Sequence, residues 1–299
     1  MTPLLPWLAR RPLRQLHALG AALGWAAYLA SPSYRRRLRT NAALAGVPDV
    51  QRRQSVAEAG KLVMELPRLW LRPPGRTIDD PVQWHRAELI EQALDAGRGL
   101  ILLTPHMGSF EVAAQAYAER FGARQPITVL YRPARQRWLR ELEETARARP
   151  ALATAPANLA GVRQLMRALR QGQTLGMLPD QVPPDGMGVW APFFGQPAYT
   201  MTLAARLAQQ QGAVVLLIWA ERLPRGSGYR VGLQPLAESL PPLSPSPPGR
   251  GADEEHWMAQ AAACINRSME AVIAQRPEQY LWGYHRYKQP RSVAAGVAL

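Results

Sequence analysis

Two short runs of unbroken apolar residues constrain this chain most. Leu100-Ile-Leu-Leu103 follows Gly97 and Gly99, and Ala213 to Ala220 reads AVVLLIWA. Neither run alternates apolar with polar, so both faces of each strand must be covered, as in a sheet layered between helices. The stretches around them repeat the theme. Ile127 to Tyr131 and Thr174 to Leu178 read as strands, and Tyr229 to Leu233 as one more. Helical spacing of apolar residues marks 50–72, 86–96, 109–121, 136–147, 159–171, 202–211 and 253–275. Strands alternating with helices predict an α/β domain with a largely parallel or mixed central sheet. Pro241 to Arg250 reads as a loop too short to link two domains, so residues 41–299 are expected to form one domain.

The first 40 residues differ in character. No Asp or Glu precedes Asp49, while Arg10, Arg11, Arg14, Arg35, Arg36, Arg37 and Arg39 all do. They supply seven of the fourteen excess positive charges (36 Lys+Arg minus 22 Asp+Glu). Between them lies LRQLHALGAALGWAAYLA, residues 13–30. A spanning helix needs about 20 predominantly apolar residues, and Arg14, Gln15 and His17 interrupt this one. A membrane-associated helix lying in the interface, with Trp7, Trp25 and Tyr28 at headgroup level and basic flanks, fits better. The excess charge calls for an anionic partner. No zinc-finger spacing or RNA-binding motif accompanies it, so nucleic acid is not expected. A single cysteine, Cys264, rules out a disulfide framework or thiolate cluster, and it reads as inert packing. No cleavable signal is evident, which leaves the bulk of the chain in the cytoplasm.

The segment that carries chemistry is Leu103-Thr-Pro-His-Met-Gly-Ser-Phe-Glu111. His106 directly follows the end of a buried strand, where open α/β sheets place ligand sites. Glu111 opens the next helix, and an imidazole in the turn can fold back toward it. A carboxylate so placed fixes the tautomer of a general base and stabilises the imidazolium that forms. Ser109 is not in a nucleophile elbow and reads as a helix cap. No second histidine stands at metal-binding spacing, so no metal is expected. The base therefore needs an external nucleophile.

Downstream come Val129-Leu-Tyr-Arg-Pro133, Leu178-Pro-Asp-Gln181, the stretch Gly188 to Thr200 (GVWAPFFGQPAYT) and Pro277 to Lys288 (PEQYLWGYHRYK). In this order, over nearly the whole chain, the segments resemble the late (secondary) acyltransferases of lipid A biosynthesis. These are the LpxL/HtrB type within the lysophospholipid acyltransferase superfamily. The resemblance implies that His106 is the general base and Glu111 its partner. It also implies that Arg132, Arg147, Asp180 and Gln181 contact substrate or order the site. The acyl donor would be acyl-acyl carrier protein, and the acceptor a hydroxyl of a lipid A precursor or another anionic lipid. No cofactor is implied. The enzyme would sit on the cytoplasmic face of an inner membrane, anchored by residues 1–40. The 189–200 loop would line the acyl or lipid channel, and 280–287 would pack at the carboxyl end, with His285 and Arg286 reaching toward solvent or phosphate. The same fold acting on a lysophospholipid or glycolipid, or a lipid-binding scaffold without activity, are the alternatives.

Overall fold

A computed structural model describes residues 4–73, 75–134, 136, 140, 142, 143, 146, 149–242 and 252–290. Most of the expected helix at 136–147, including Arg147, and most of the 241–250 loop lie outside the described residues. The first helices are α1 (Leu4–Ala9), α2 (Leu13–Ala30), α3 (Pro32–Leu44) and α4 (Asp49–Trp70). Next come β1 (Val82–His85), α5 (Glu88–Asp95), β2 (Leu100–Leu103), α6 (Phe110–Phe121) and β3 (Ile127–Tyr131). They are followed by β4 (Leu152–Pro156), α7 (Leu159–Arg170), β5 (Thr174–Met177), β6 (Gly188–Phe193) and β7 (Gln196–Met201). The chain closes with α8 (Leu203–Gln211), β8 (Val214–Arg222), β9 (Tyr229–Pro235) and α9 (Ala252–Ile273).

Seven strands form one sheet in the order β1-β9-β8-β2-β5-β3-β4. All neighbours run parallel except β8 and β9, so the sheet is mixed and mostly parallel. The unbroken apolar runs become β2 and β8, paired at its centre. Residues Leu100 to Leu103 are all buried. Ile101 and Leu103 pack into the core beneath α7, α8 and α9, and Leu100 and Leu102 into the one beneath α5 and α6. That two-sided burial is why the sequence has no polar alternation there.

Three elements depart from the sequence reading. The strands β1 and β4 are additional, both at sheet edges. The 189–200 stretch, read as a loop, is an antiparallel hairpin in which Pro192 faces Pro197. Proline lacks a ladder donor, and a two-stranded ribbon outside the main sheet tolerates that loss.

Helix α2 lies on α4 through a stripe of Leu13, Leu16, His17, Gly20, Gly24 and Tyr28, all buried. The backbones touch. A Cβ on Gly60 would stand 1.9 Å from the Gly20 carbonyl oxygen, and one on Gly24 would stand 2.1 Å from that of Val56. His17 also meets Glu65 of α4 at 3.3 Å, and Glu65 with Glu58 neutralises the buried Arg222 of β8. Gly60→Ala should gain up to about 1 kcal/mol of helix propensity. It should nonetheless lose about 1–3 kcal/mol by forcing the helices apart. A lower midpoint in denaturant unfolding is the expected result, and an unchanged or raised midpoint would sink the close-packing argument. No helix is long and apolar enough, among the described residues, to cross a membrane.

Candidate active site

β2 and β5 are neighbours, with Leu103 opposite Met177. His106 lies three residues beyond Leu103, and Asp180 three residues beyond Met177. The two side chains therefore emerge at the same level from adjacent strand ends, although 74 residues separate them. The His106 backbone N–H donates to Asp180 Oδ2 at 2.9 Å, and its Nδ1 stands 2.7 Å from Oδ1. Asp180 is buried. Burial works to raise its pKa, but the His106 charge, its two hydrogen bonds and the nearby Arg286 guanidinium outweigh that and hold the carboxyl below its usual range. An ionised Asp180 can only accept, so Nδ1 carries a proton, and in the neutral imidazole Nε2 presents a lone pair. The Gln181 amide donates to that lone pair at 3.0 Å.

The turn that carries His106 is fastened on both sides. Ser109 N–H donates to the Ala220 carbonyl, and Gly108 N–H to that of Gln279. In return Leu281 N–H donates to the His106 carbonyl. Gly108 has φ +57°, and a Cβ there would meet the Ala220 oxygen at 2.0 Å, so only glycine lets the turn press against β8.

His106 stands on a cavity of about 510 Å³, within the ordinary range of ligand sites. Its walls are mostly apolar: Leu62, Val63 and Leu66 from α4, Ala113 and Ala114 from α6, and Ile127 and Val129 from β3. Glu111, Arg132 and Gln181 share this lining.

The carboxylate on Nδ1 is thus Asp180, where the sequence reading put Glu111. Glu111 is buried on the same cavity, in the first turn of α6. Gln181 reaches His106 directly, and Arg132 is an exposed residue of the cavity lining. Ser109 is the N-cap residue of α6, but its side chain makes no capping bond, and its buried hydroxyl has no partner among the described residues. Arg286, expected to reach solvent or phosphate, is buried and donates to the Tyr199 carbonyl and Thr200 Oγ1, each at 2.7 Å. His285 is exposed. Cys264 is buried, and burial pushes its thiol up to about 11, as befits inert packing. Tyr28 is buried too, its hydroxyl accepting from Arg39 Nε, while Trp7 and Trp25 are exposed.

An imidazole with a carboxylate on Nδ1, at the lip of a hydrocarbon-lined chamber, is chemically able to take a proton from a hydroxyl that attacks an acyl group held there, which is the chemistry of an acyltransferase. Comparison with known proteins gives the family. The profile described as "Bacterial lipid A biosynthesis acyltransferase" matches residues 4–289. The chain is 27% identical over 246 residues to the lipid A biosynthesis palmitoleoyltransferase of Escherichia coli (strain K12), covering 80% of this chain and 72% of the relative. It is 26% identical over 293 residues to the lipid A biosynthesis lauroyltransferase of the same organism, covering 94% and 88%. The chain belongs to the bacterial lipid A biosynthesis acyltransferase family, and it is an acyltransferase.

Proposed function

We propose that this enzyme moves a fatty acyl group from acyl-acyl carrier protein to a hydroxyl of a lipid A precursor, with His106 as general base. The observation that carries the reading is the Asp180–His106 pair, which leaves Nε2 unprotonated at the mouth of an apolar chamber. The acceptor hydroxyl takes the place that the Gln181 amide occupies against Nε2. Its oxygen attacks the thioester carbonyl as Nε2 removes the proton. Collapse of the tetrahedral intermediate breaks the C–S bond, and the imidazolium returns the proton to the departing carrier thiol. The step balances without a metal or redox cofactor.

The backbone N–H groups of residues 106–109 are all committed, to Asp180, Pro105, Gln279 and Ala220. Displaced from Nε2, the Gln181 amide becomes the donor within reach of the developing oxyanion. Glu111 lines the same cavity as His106, and its carboxylate is assigned the stabilising of imidazolium. Arg132, exposed on the cavity lining, suits bidentate contact with a lipid phosphate, and Arg147 is assigned the same role from the family resemblance. The apolar chamber takes the fatty acyl chain.

Residues 1–40 serve as the membrane anchor of the 41–299 domain, on the cytoplasmic face of the inner membrane. Every exposed residue from Ala18 to Ala30 is apolar, including Leu19, Leu23, Trp25 and Leu29. A helix apolar on both its packed and outward faces needs a second apolar phase. Val63, half exposed, lines the cavity and lies within one turn of Gly60, where α4 meets α2. The cavity rim would then open at the lipid surface.

The test is purified protein with a panel of acyl carrier protein thioesters and two acceptors, a lipid A precursor and a lysophospholipid, read by mass spectrometry. One added acyl chain on the lipid A precursor is expected. Acylation of the lysophospholipid alone would overturn the acceptor assignment.

A further inference from the structure

The chamber owes part of its depth to a missing side chain. Gly176 lies in β5, a central strand whose residues are all buried. Its partners are Leu102 of β2 and Val129 of β3, and paired residues on neighbouring strands project from the same face. All three line the cavity, together with Ala113 and Ala114 of α6. Ile127, two residues before Val129, and Leu152 opposite it on β4 also line the cavity. From Leu102 to His106 is four residues, at most about 13 Å at the rise of a strand. The row of Ile127 and Leu152 lies about 7 Å further down the sheet. The sheet wall of the cavity thus descends from the His106 end, past Gly176, to Ile127 and Leu152.

Glycine weakens the interior of a strand, and it often marks a place where a ligand comes close. Backbone conformation does not require it at 176, which is absent from the residues with positive φ. Packing does not require it either. A Cβ there would stand 3.1 Å from Val129 Cγ2 and 3.4 Å from Ile127 Cδ1, the ends of side chains that can give by a few tenths of an ångström. Nothing from α4 or α6 comes nearer to it than 3.8 Å. The other two strand glycines among the described residues differ. A Cβ on Gly232 would enter the Trp219 ring, and one on Gly188 would press on the Thr200 carbonyl oxygen. What a side chain at 176 would fill is the cavity.

We propose that Gly176 sets the longest fatty acyl chain the enzyme transfers. Having no side chain, it keeps the chamber open from His106 down to Ile127 and Leu152. A side chain at 176 would divide the chamber and leave only the part near His106 for the acyl chain. The inference rests on the reading of this chamber as the acyl site.

The experiment measures kcat/KM for wild type, Gly176→Ala and Gly176→Val over a ladder of saturated acyl-acyl carrier protein thioesters of increasing length, with thermal unfolding alongside. Each methylene denied burial costs about fourfold. With roughly four methylenes displaced, Gly176→Val should lower the ratio of long-donor to short-donor kcat/KM by about 10²-fold and move the preferred donor to a shorter chain. Gly176→Ala should lower the same ratio by about fourfold, the worth of one methylene. A folded Gly176→Val enzyme with the wild-type length profile, or slowed equally with every donor, would overturn the proposal. If Gly176→Val does not fold, an unchanged ratio in Gly176→Ala overturns it alone. A wild-type enzyme indifferent to donor length would instead defeat the reading of the chamber as the acyl site. The ladder is read on whichever acceptor is acylated, so a failed acceptor assignment and a failed role for Gly176 are separate results.

Discussion

Asp180→Asn should lower kcat by about 10³–10⁴-fold with the fold intact, close to the loss expected from His106→Ala. The reason is which atoms can donate. Asp180 accepts twice from His106, once from the backbone N–H and once from Nδ1. Asparagine can keep only one of these acceptor roles. With its oxygen on the backbone N–H, its amide nitrogen faces Nδ1 as a donor. The imidazole then accepts at Nδ1 and carries its proton on Nε2, so the basic lone pair is lost. The side chains are nearly isosteric, and little stability should go with it. Glu111→Gln should cost less, because it leaves the Nδ1 contact untouched. Single-turnover rates of both variants decide the matter. If Glu111→Gln proves the worse, with Asp180→Asn near wild type, Asp180 does not orient the base. His106→Ala and the double variant His106→Ala/Asp180→Asn should be about equally slow, since the two residues act as one unit.

The difference between these carboxylates shows where sequence reasoning stopped. His106 was legible because it follows an unbroken apolar run, and such a run in an α/β chain can be little else than a central strand. Asp180 was also visible as a residue just past a strand. What the sequence does not encode locally is that β2 and β5 pair, with α6, β3, β4 and α7 among the elements between them in the chain. Strand order decides which strand ends meet, and it is fixed by packing of the whole sheet. Glu111, five residues from His106, was the partner that proximity along the chain suggested.

The edges failed for related reasons. In β1, Val-Gln-Trp-His, each residue is at least partly exposed, so its burial pattern is weak. Prolines disguised the β6–β7 hairpin. Arg286 gave the opposite signal to its true setting, since an arginine among tyrosines near a terminus reads as surface. Only the fold shows that it is enclosed, bonded to Tyr199 and Thr200 of the hairpin.

Replacing Leu19, Leu23 and Leu29 together with Ser should release the protein from lipid vesicles by about 10²-fold in partition. These side chains are 45%, 43% and 67% exposed on the outward face of α2. Full burial of a leucine is worth about 1.5–3 kcal/mol, and half-exposed ones have about 1 kcal/mol each left to gain from lipid. Three together give about 3 kcal/mol, or about two factors of ten. The fold should survive, because the stripe that meets α4 (Leu16, Gly20, Gly24 and Tyr28) is untouched. The charge component is separable. Arg35, Arg37 and Arg39 are hydrogen-bonded within the chain, to the Tyr28 and Leu29 carbonyls, the Gly283 carbonyl and the Tyr28 hydroxyl, although Arg39 remains exposed. Arg10, Arg14 and Arg36 are exposed and, among the described residues, make no ion pair or side-chain hydrogen bond. Each should add about 1 kcal/mol on anionic vesicles, and that share should fade with salt as the Debye length shrinks. Flotation of wild type and the triple-serine variant on neutral and anionic vesicles, at low and high salt, measures both components. Wild-type flotation by the triple variant at high salt would exclude α2 as the docking face. If the prediction holds, the half-exposed Val63 rim of the cavity lies at the lipid surface, and an acceptor hydroxyl can reach His106 without its lipid leaving the bilayer.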